Sequence, residues 1–145
     1  MRGLIVKTGH FYFKDKVKST RPKGIKKHRE FDKEGKSFTN LITIWLCVEK
    51  DDKEEYLYDL LKRIQELNET FYHLEEALVI PFGHMSNNLA SPSYSKELLE
   101  KLTELLKKEN FKVDRVTFGT HKDLAFEIPG QPAQVSYFEF PRNKV

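Results

Sequence analysis

Apolar and polar positions change period several times along the chain, and each change marks an element. Residues 3 to 8 and 10 to 14 read as two short strands, the second aromatic through Phe11-Tyr12-Phe13. Gly9 between them predicts a tight turn and a first hairpin. From Phe38 to Val48 the β-branched and aromatic content rises and both parities are apolar, the pattern of a central strand covered on two faces. Between Asp51 and Phe71 the residues Leu57, Leu60, Leu61, Ile64, Leu67 and Phe71 recur at three- and four-residue spacing. With Asp51, Asp52, Glu54 and Glu55 at its front, that segment predicts an amphipathic helix. Ala77-Leu78-Val79-Ile80 reads as a short buried strand ended by Pro81. A second helix is predicted from Ser91 as N-cap and Pro92 as first helical residue, through Leu98, Leu99, Leu102, Leu105 and Leu106, to about Asn110. Three more strands fall near 112 to 118, 123 to 128 and 134 to 140. The fold class is α/β or α+β, one domain over 1–145, with a mixed sheet of about seven strands and two main helices.

Composition narrows the classes. The 145 residues, 39% hydrophobic and 32% charged, fit one compact domain. The longest apolar run, Leu41 to Val48, is far short of the roughly 20 residues that span a bilayer as a helix, so no membrane span is expected. The N-terminus has no long apolar stretch followed by small residues, so no export signal is read and the cytoplasm is the expected compartment. Cys47 is the one cysteine and lies inside the apolar run, where it reads as a small buried hydrophobe. The net charge is only +3, but its distribution is uneven. Ten basic residues face four acids between Lys14 and Lys36, a local +6 against −3 for the rest. That stretch, with Pro22, Gly24 and Gly35, predicts a long, exposed, partly mobile basic loop over about 14–37. Lys23, Lys26, Lys27 and Arg29, with His28, Phe31 and Phe38 near in sequence, are candidates to hold a phosphate backbone. The plain alternative is a solvated lysine-rich loop.

Phosphate-loop, dinucleotide, zinc-protease and serine-hydrolase motifs are all missing from the sequence. His10, His28, His73, His84 and His121 show no metal-ligand spacing, so neither a metal nor a cofactor is expected. Two turns hold the candidate chemistry. Pro81-Phe82-Gly83-His84-Met85-Ser86 follows a buried strand and precedes a helix, a place where exposed backbone groups gather ligands in α/β sheets. Phe118-Gly119-Thr120-His121-Lys122 joins two predicted strands and carries an amine beside an imidazole. Without a ligand, His84 would merely satisfy turn backbone and the second turn would be an ordinary hairpin.

Three segments together carry a resemblance: Met1-Arg2-Gly3-Leu4-Ile5-Val6, the run Val79-Ile80-Pro81-Phe82-Gly83-His84-Met85-Ser86 through Leu89-Ala90-Ser91-Pro92-Ser93, and Thr117-Phe118-Gly119-Thr120-His121-Lys122. In that order they resemble the N-terminal editing domain of archaeal threonyl-tRNA synthetases, over nearly the whole chain. The resemblance implies a fold similar to D-aminoacyl-tRNA deacylases, a homodimer, and hydrolysis of the ester in tRNA-Thr mischarged with serine. Partners it implies are tRNA, foremost tRNA-Thr, and a threonyl-tRNA synthetase catalytic chain. It places the family's pocket histidine on His84 and its lysine on Lys122, with pocket walls at Pro81, Gly83, Phe118, His121 and the adjoining Thr120. The family's tyrosine before the lysine is His121 here. Its late glutamate, after a G-x-P turn matching Gly130-Gln131-Pro132, is met by Gln134, and an amide can orient water but cannot act as a general base. Deacylation of a D-aminoacyl-tRNA or another mischarged tRNA, and a non-catalytic tRNA-binding or synthetase-associated module, stay open as alternatives.

Overall fold

The computed structural model describes residues 1–142. The elements are β1 (Arg2–Lys18), β2 (Lys36–Cys47), α1 (Tyr56–Leu67), β3 (Glu76–Pro81), α2 (Pro92–Lys108), β4 (Lys112–Arg115), β5 (Thr120–Glu127) and β6 (Val135–Glu139). They form one mixed sheet in the order β4-β3-β2-β1-β5, with β6 also on β1. The β2–β3 and β3–β4 pairs are parallel, and all pairs made by β1 are antiparallel. The architecture is α+β.

β2 is central, as its two apolar parities predict. Ile42, Ile44 and Leu46 join Ala77 and Val79 of β3 on the face covered by both helices, against Leu57, Leu60, Ile64, Leu98, Leu102 and Leu106. Leu41 and Trp45 turn the other way and pack with Leu78, Ile80, Val6, Phe11, Phe13 and Val116. That second face is roofed by the far half of β1 with β5. The Phe126 ring stacks on Phe11 at 6.2 Å and meets Trp45 edge-on at 5.4 Å. The sheet therefore curls back over itself, and its carboxyl ends open under the overhang.

The predicted first hairpin is absent, and six strands replace the seven expected. β1 runs unbroken through Gly9, which lies across from Asn40 at a skipped pair in the β1–β2 register. Asn40 has φ 50° there. Inward-facing positions switch from Val6 and Thr8 to Phe11 and Phe13 across this kink, so one curled strand shows the parity break that two strands would show.

The first helix starts later than its acids suggest. Asp51 takes φ 67°, and the buried Asp52 carboxylate accepts the Glu49 N–H at 2.7 Å, so residues 51–55 form an entry turn. The helical pattern ends in a single π turn over Asn68–Tyr72 that His73 closes at φ 54°. The second helix follows its sequence signals: Ser91 Oγ accepts the Tyr94 N–H at 3.2 Å, and Pro92 occupies the first position.

The basic connection is shorter than 14–37, because β1 extends to Lys18 and β2 begins at Lys36. It is also tied down. Ile25 is buried, Arg29 Nη1 donates to Ser19 O at 3.1 Å, and the Asp32 N–H donates to Asp15 at 2.8 Å. No helix among the described residues is long and apolar enough to cross a membrane.

Candidate active site

A cavity of about 460 Å³ opens where the carboxyl ends of β2 and β3 meet the start of β5. Its volume suits a small organic group rather than an ion. Three stretches of chain build its walls.

The first is the strand-to-helix turn after β3. Pro81 ends the strand, and residues Gly83–Met85 form a 3-10 turn. The turn is fastened from below: Ser86 Oγ donates to Glu49 Oε2 at 2.6 Å, and the Lys50 N–H donates to Asn88 O at 3.0 Å. His84 is exposed on this turn, its ring edge-on to Phe82 at 5.2 Å. Pro81, Gly83 and His84 all line the cavity.

The second wall is the β4–β5 turn. Glu30, from the basic loop, receives two hydrogen bonds from Arg115 at 2.8 and 2.6 Å and the Phe118 N–H at 2.8 Å. The Glu30 N–H returns a bond to Phe118 O at 2.9 Å. Burial acts to raise the Glu30 carboxyl, but these donors outweigh it and hold it below the ordinary carboxylate range. Gly119 follows at φ 79°, and a side chain there would meet Arg29 as well as strain the backbone. Phe118, Thr120, His121 and Lys122 line the cavity.

Lys122 is the charged centre. Its side chain is only 12% exposed, and Nζ donates to Thr117 O at 3.1 Å, Thr120 O at 3.2 Å and Thr120 Oγ1 at 2.8 Å. Asp15 Oδ1 lies 3.5 Å away. Burial pushes the ammonium below the usual lysine range, against the opposing pull of Asp15.

The third wall is hydrophobic: Leu46, Cys47, Val48, Ile80, Leu89 and Leu99 form the floor. Cys47 is buried, and burial pushes its thiol up, away from thiolate chemistry.

The structure thus brings Pro81, Gly83, His84, Phe118, Thr120, His121 and Lys122 to one cavity, although 33 residues of chain lie between His84 and Phe118. Gln134 is not with them. It sits before β6, where its Oε1 accepts the Gln131 N–H at 2.7 Å and its carbonyl accepts the Lys7 N–H at 2.9 Å. No carboxylate lines the cavity among the described residues. Lys23, Lys26 and Lys27 are exposed on the basic loop next to the lining residues Arg21, Pro22 and Ile25. Arg29 is spent on Ser19 instead. Residues unforeseen from sequence are Asp15, Thr117, Glu30 and Arg115. Only Asp15 leaves a signal in the sequence, since it continues the buried parity of Phe11 and Phe13.

The cavity thus sets one pinned ammonium and two imidazoles over an apolar floor in a small α+β domain, beside exposed lysines of the basic loop. The chain belongs to the archaea-specific editing domain family of threonyl-tRNA synthetase, whose model matches residues 1–137. It is 33% identical over 93 residues to a threonine--tRNA ligase of Methanococcus aeolicus, covering 63% of this chain and 15% of that protein. To the threonine--tRNA ligase of Thermococcus kodakarensis it is 27% identical, with 100% of this chain and 23% of that one covered. The chain therefore spans less than a quarter of the length of these relatives. A solved structure titled c-Myc DNA Unwinding Element Binding Protein shares the fold at a TM-score of 0.69 and 10% identity, over 98% of this chain and 100% of that one. At that identity the likeness concerns fold alone.

Proposed function

We propose that the protein proofreads charged tRNA by hydrolysing the ester between a wrong amino acid and the tRNA 3′ end, Ser-tRNA-Thr foremost. The observation that supports this reading is the Lys122 ammonium fixed in the wall of a cavity of about 460 Å³. An aminoacyl ester is already activated, so catalysis consists of positioning a water and stabilising the tetrahedral oxyanion. In this scheme water adds to the ester carbonyl, and Lys122 Nζ exchanges one of its carbonyl partners for the developing oxyanion. Collapse breaks the C–O bond, a proton passes to the departing ribose oxygen, and the products are the free amino acid and uncharged tRNA. His84 and His121 are the groups proposed to orient the water, with Pro81, Gly83, Phe118 and Thr120 shaping the space for the side chain. Gln134, held in its own turn, has no part in this scheme. Serine and threonine differ by one methyl, worth about 1 to 3 kcal/mol in a pocket, so selection rests on threonine displacing the water rather than on affinity alone.

Lys23, Lys26 and Lys27 are proposed to hold tRNA phosphates beside the cavity mouth. A threonyl-tRNA synthetase catalytic unit would charge the tRNA inspected, with the cytoplasm as the place of work. A homodimer is the proposed assembly, with the exposed Leu124, Phe126, Val135 and Tyr137 of β5 and β6 as the apolar surface available to it. A sedimentation mass of one chain at micromolar concentration would remove that element.

The lack of a lining carboxylate favours a second reading, a tRNA-binding module without turnover. Incubating Ser-tRNA-Thr, Thr-tRNA-Thr and a panel of D-aminoacyl-tRNAs with the protein and with Lys122→Ala separates the readings. Release of serine that Lys122→Ala reduces at least a hundredfold is expected. Faster release from a D-aminoacyl-tRNA would reassign the substrate, and binding with no hydrolysis of any ester would leave the module.

A further inference from the structure

The most completely buried charged side chain near the cavity is one that the scheme above does not use. The Asp15 side chain is 0% exposed. Thr117 Oγ1 donates to its Oδ2 at 2.7 Å, the Asp32 N–H to Oδ2 at 2.8 Å, and Thr120 Oγ1 to its Oδ1 at 2.8 Å. The Thr120 hydroxyl, with its O–H pointed at Asp15, accepts a hydrogen bond from Lys122 Nζ at 2.8 Å. The hydroxyl is thereby oriented as a relay between the carboxylate and the ammonium. The backbone is arranged to allow it: the β1–β5 register shifts between Asp15 and Val17, and a bulge at such a place re-aims a side chain. Asp15 is too enclosed to meet a substrate.

We propose that Asp15 is a positioning residue which, directly and through the Thr120 hydroxyl and the Thr117 residue it anchors, fixes the Lys122 ammonium in the cavity wall and keeps it protonated. Without a negative partner, an amine this buried loses its proton readily, and a neutral amine cannot stabilise an oxyanion. The charged groups that face Lys122 are Asp15 on β1 and Glu30 on the connecting loop. Arg21, His84 and His121 share the cavity, and on β5 itself Asp123 is turned to Lys16 at 3.3 Å. Asp15 is the carboxylate in direct contact. Its own pKa fits the role: burial acts to raise it, but the Thr117, Asp32 and Thr120 donors and Lys122 bring it below the ordinary range, so it stays ionised.

The part of this inference that concerns turnover rests on the deacylase reading, and the part that concerns Lys122 does not. The test therefore has two readouts. In protein labelled with 13C lysine, the Lys122 methylene adjoining Nζ is titrated by NMR in wild type, Asp15→Asn, Thr120→Val and the control Asp123→Asn. Asp15→Asn is expected to move the Lys122 midpoint to lower pH, Thr120→Val to move it less, and Asp123→Asn to leave it in place. The second readout is kcat for ester hydrolysis against pH. Asp15→Asn should lower kcat about ten- to a hundredfold at neutral pH with little change in KM, and part of the loss should return at lower pH as Lys122 regains its proton. If Asp15→Asn does not fold, Thr120→Val alone carries the titration test. A Lys122 midpoint unmoved in folded Asp15→Asn, or in Thr120→Val where Asp15→Asn does not fold, overturns the inference. A shifted midpoint in a protein that hydrolyses no ester would retain the inference and remove the deacylase reading.

Discussion

At the scale of single residues, three carboxylates do structural work that depends on their remaining ionised. Asp15, Glu30 and Glu49 each meet a burial penalty that acts to raise the pKa, and each is held low by donors: Thr117, Arg115 and Ser86 are the first of these. Their folded values lie below their unfolded ones. The stability they contribute is thus complete above the ordinary carboxylate range, near pH 4, and is lost as pH falls through the depressed folded values. Urea denaturation should show a midpoint flat from pH 7 to 5 and dropping steeply below pH 4. Glu30→Gln should weaken that drop and cost about 2 kcal/mol at pH 7, since Arg115 loses its forked partner. Asp15 shows what was legible at this scale. Within Lys14-Asp15-Lys16 it reads as a solvated charge, yet it continues the inward parity of Phe11 and Phe13, and the structure buries all three. A carboxylate on the buried parity of a strand predicts a network waiting for it. Glu30 gives no such sign, because it lies in an aperiodic loop and its partner Arg115, at the end of β4, is 85 residues away.

At the scale of elements, β1 is held on both sides along most of its length, and Gly3 is where the crowding is greatest. A Cβ there would stand 1.9 Å from the Trp45 carbonyl oxygen and 2.7 Å from the Phe138 ring. Gly3→Ala should therefore open the pairing of β1 with β2 and β6, lowering Tm by about 6 °C for a loss of roughly 2 kcal/mol in a chain of this size, by calorimetry. Both helices, the central strand and the two turns were readable from period and capping alone, since each signal is local. What misled was β1. A kink at Gly9 opposite Asn40 switches the buried parity inside one strand, and a glycine at a parity break reads in a sequence as a turn. The place of Gln134, away from the cavity, has a related cause. A resemblance can align a residue with a turn, but which side of β1 that turn faces depends on β5 and β6 lying end to end along one edge.

At the scale of the whole molecule, the +6 segment sets the exposed Lys23, Lys26 and Lys27 beside the cavity-lining Arg21, Pro22 and Ile25. Neutralising Lys23, Lys26 and Lys27 together should weaken tRNA binding and lower the slope of log affinity against log salt by about two, with the hydrolytic rate of bound substrate kept. An unchanged slope would take these lysines out of the interface. Arg29→Gln should behave differently and reduce stability as well, because Arg29 fastens the loop to Ser19. The same long strand that organises the sheet also sets an order of events during synthesis. β1 is made well before β5 and β6, which complete its second edge, so Phe11 and Phe13 await their roof until residues beyond 120 have emerged. A chain stalled before that point exposes an aromatic, half-paired strand, and its yield should depend more on holdase chaperones and on translation speed than on the final stability of the fold.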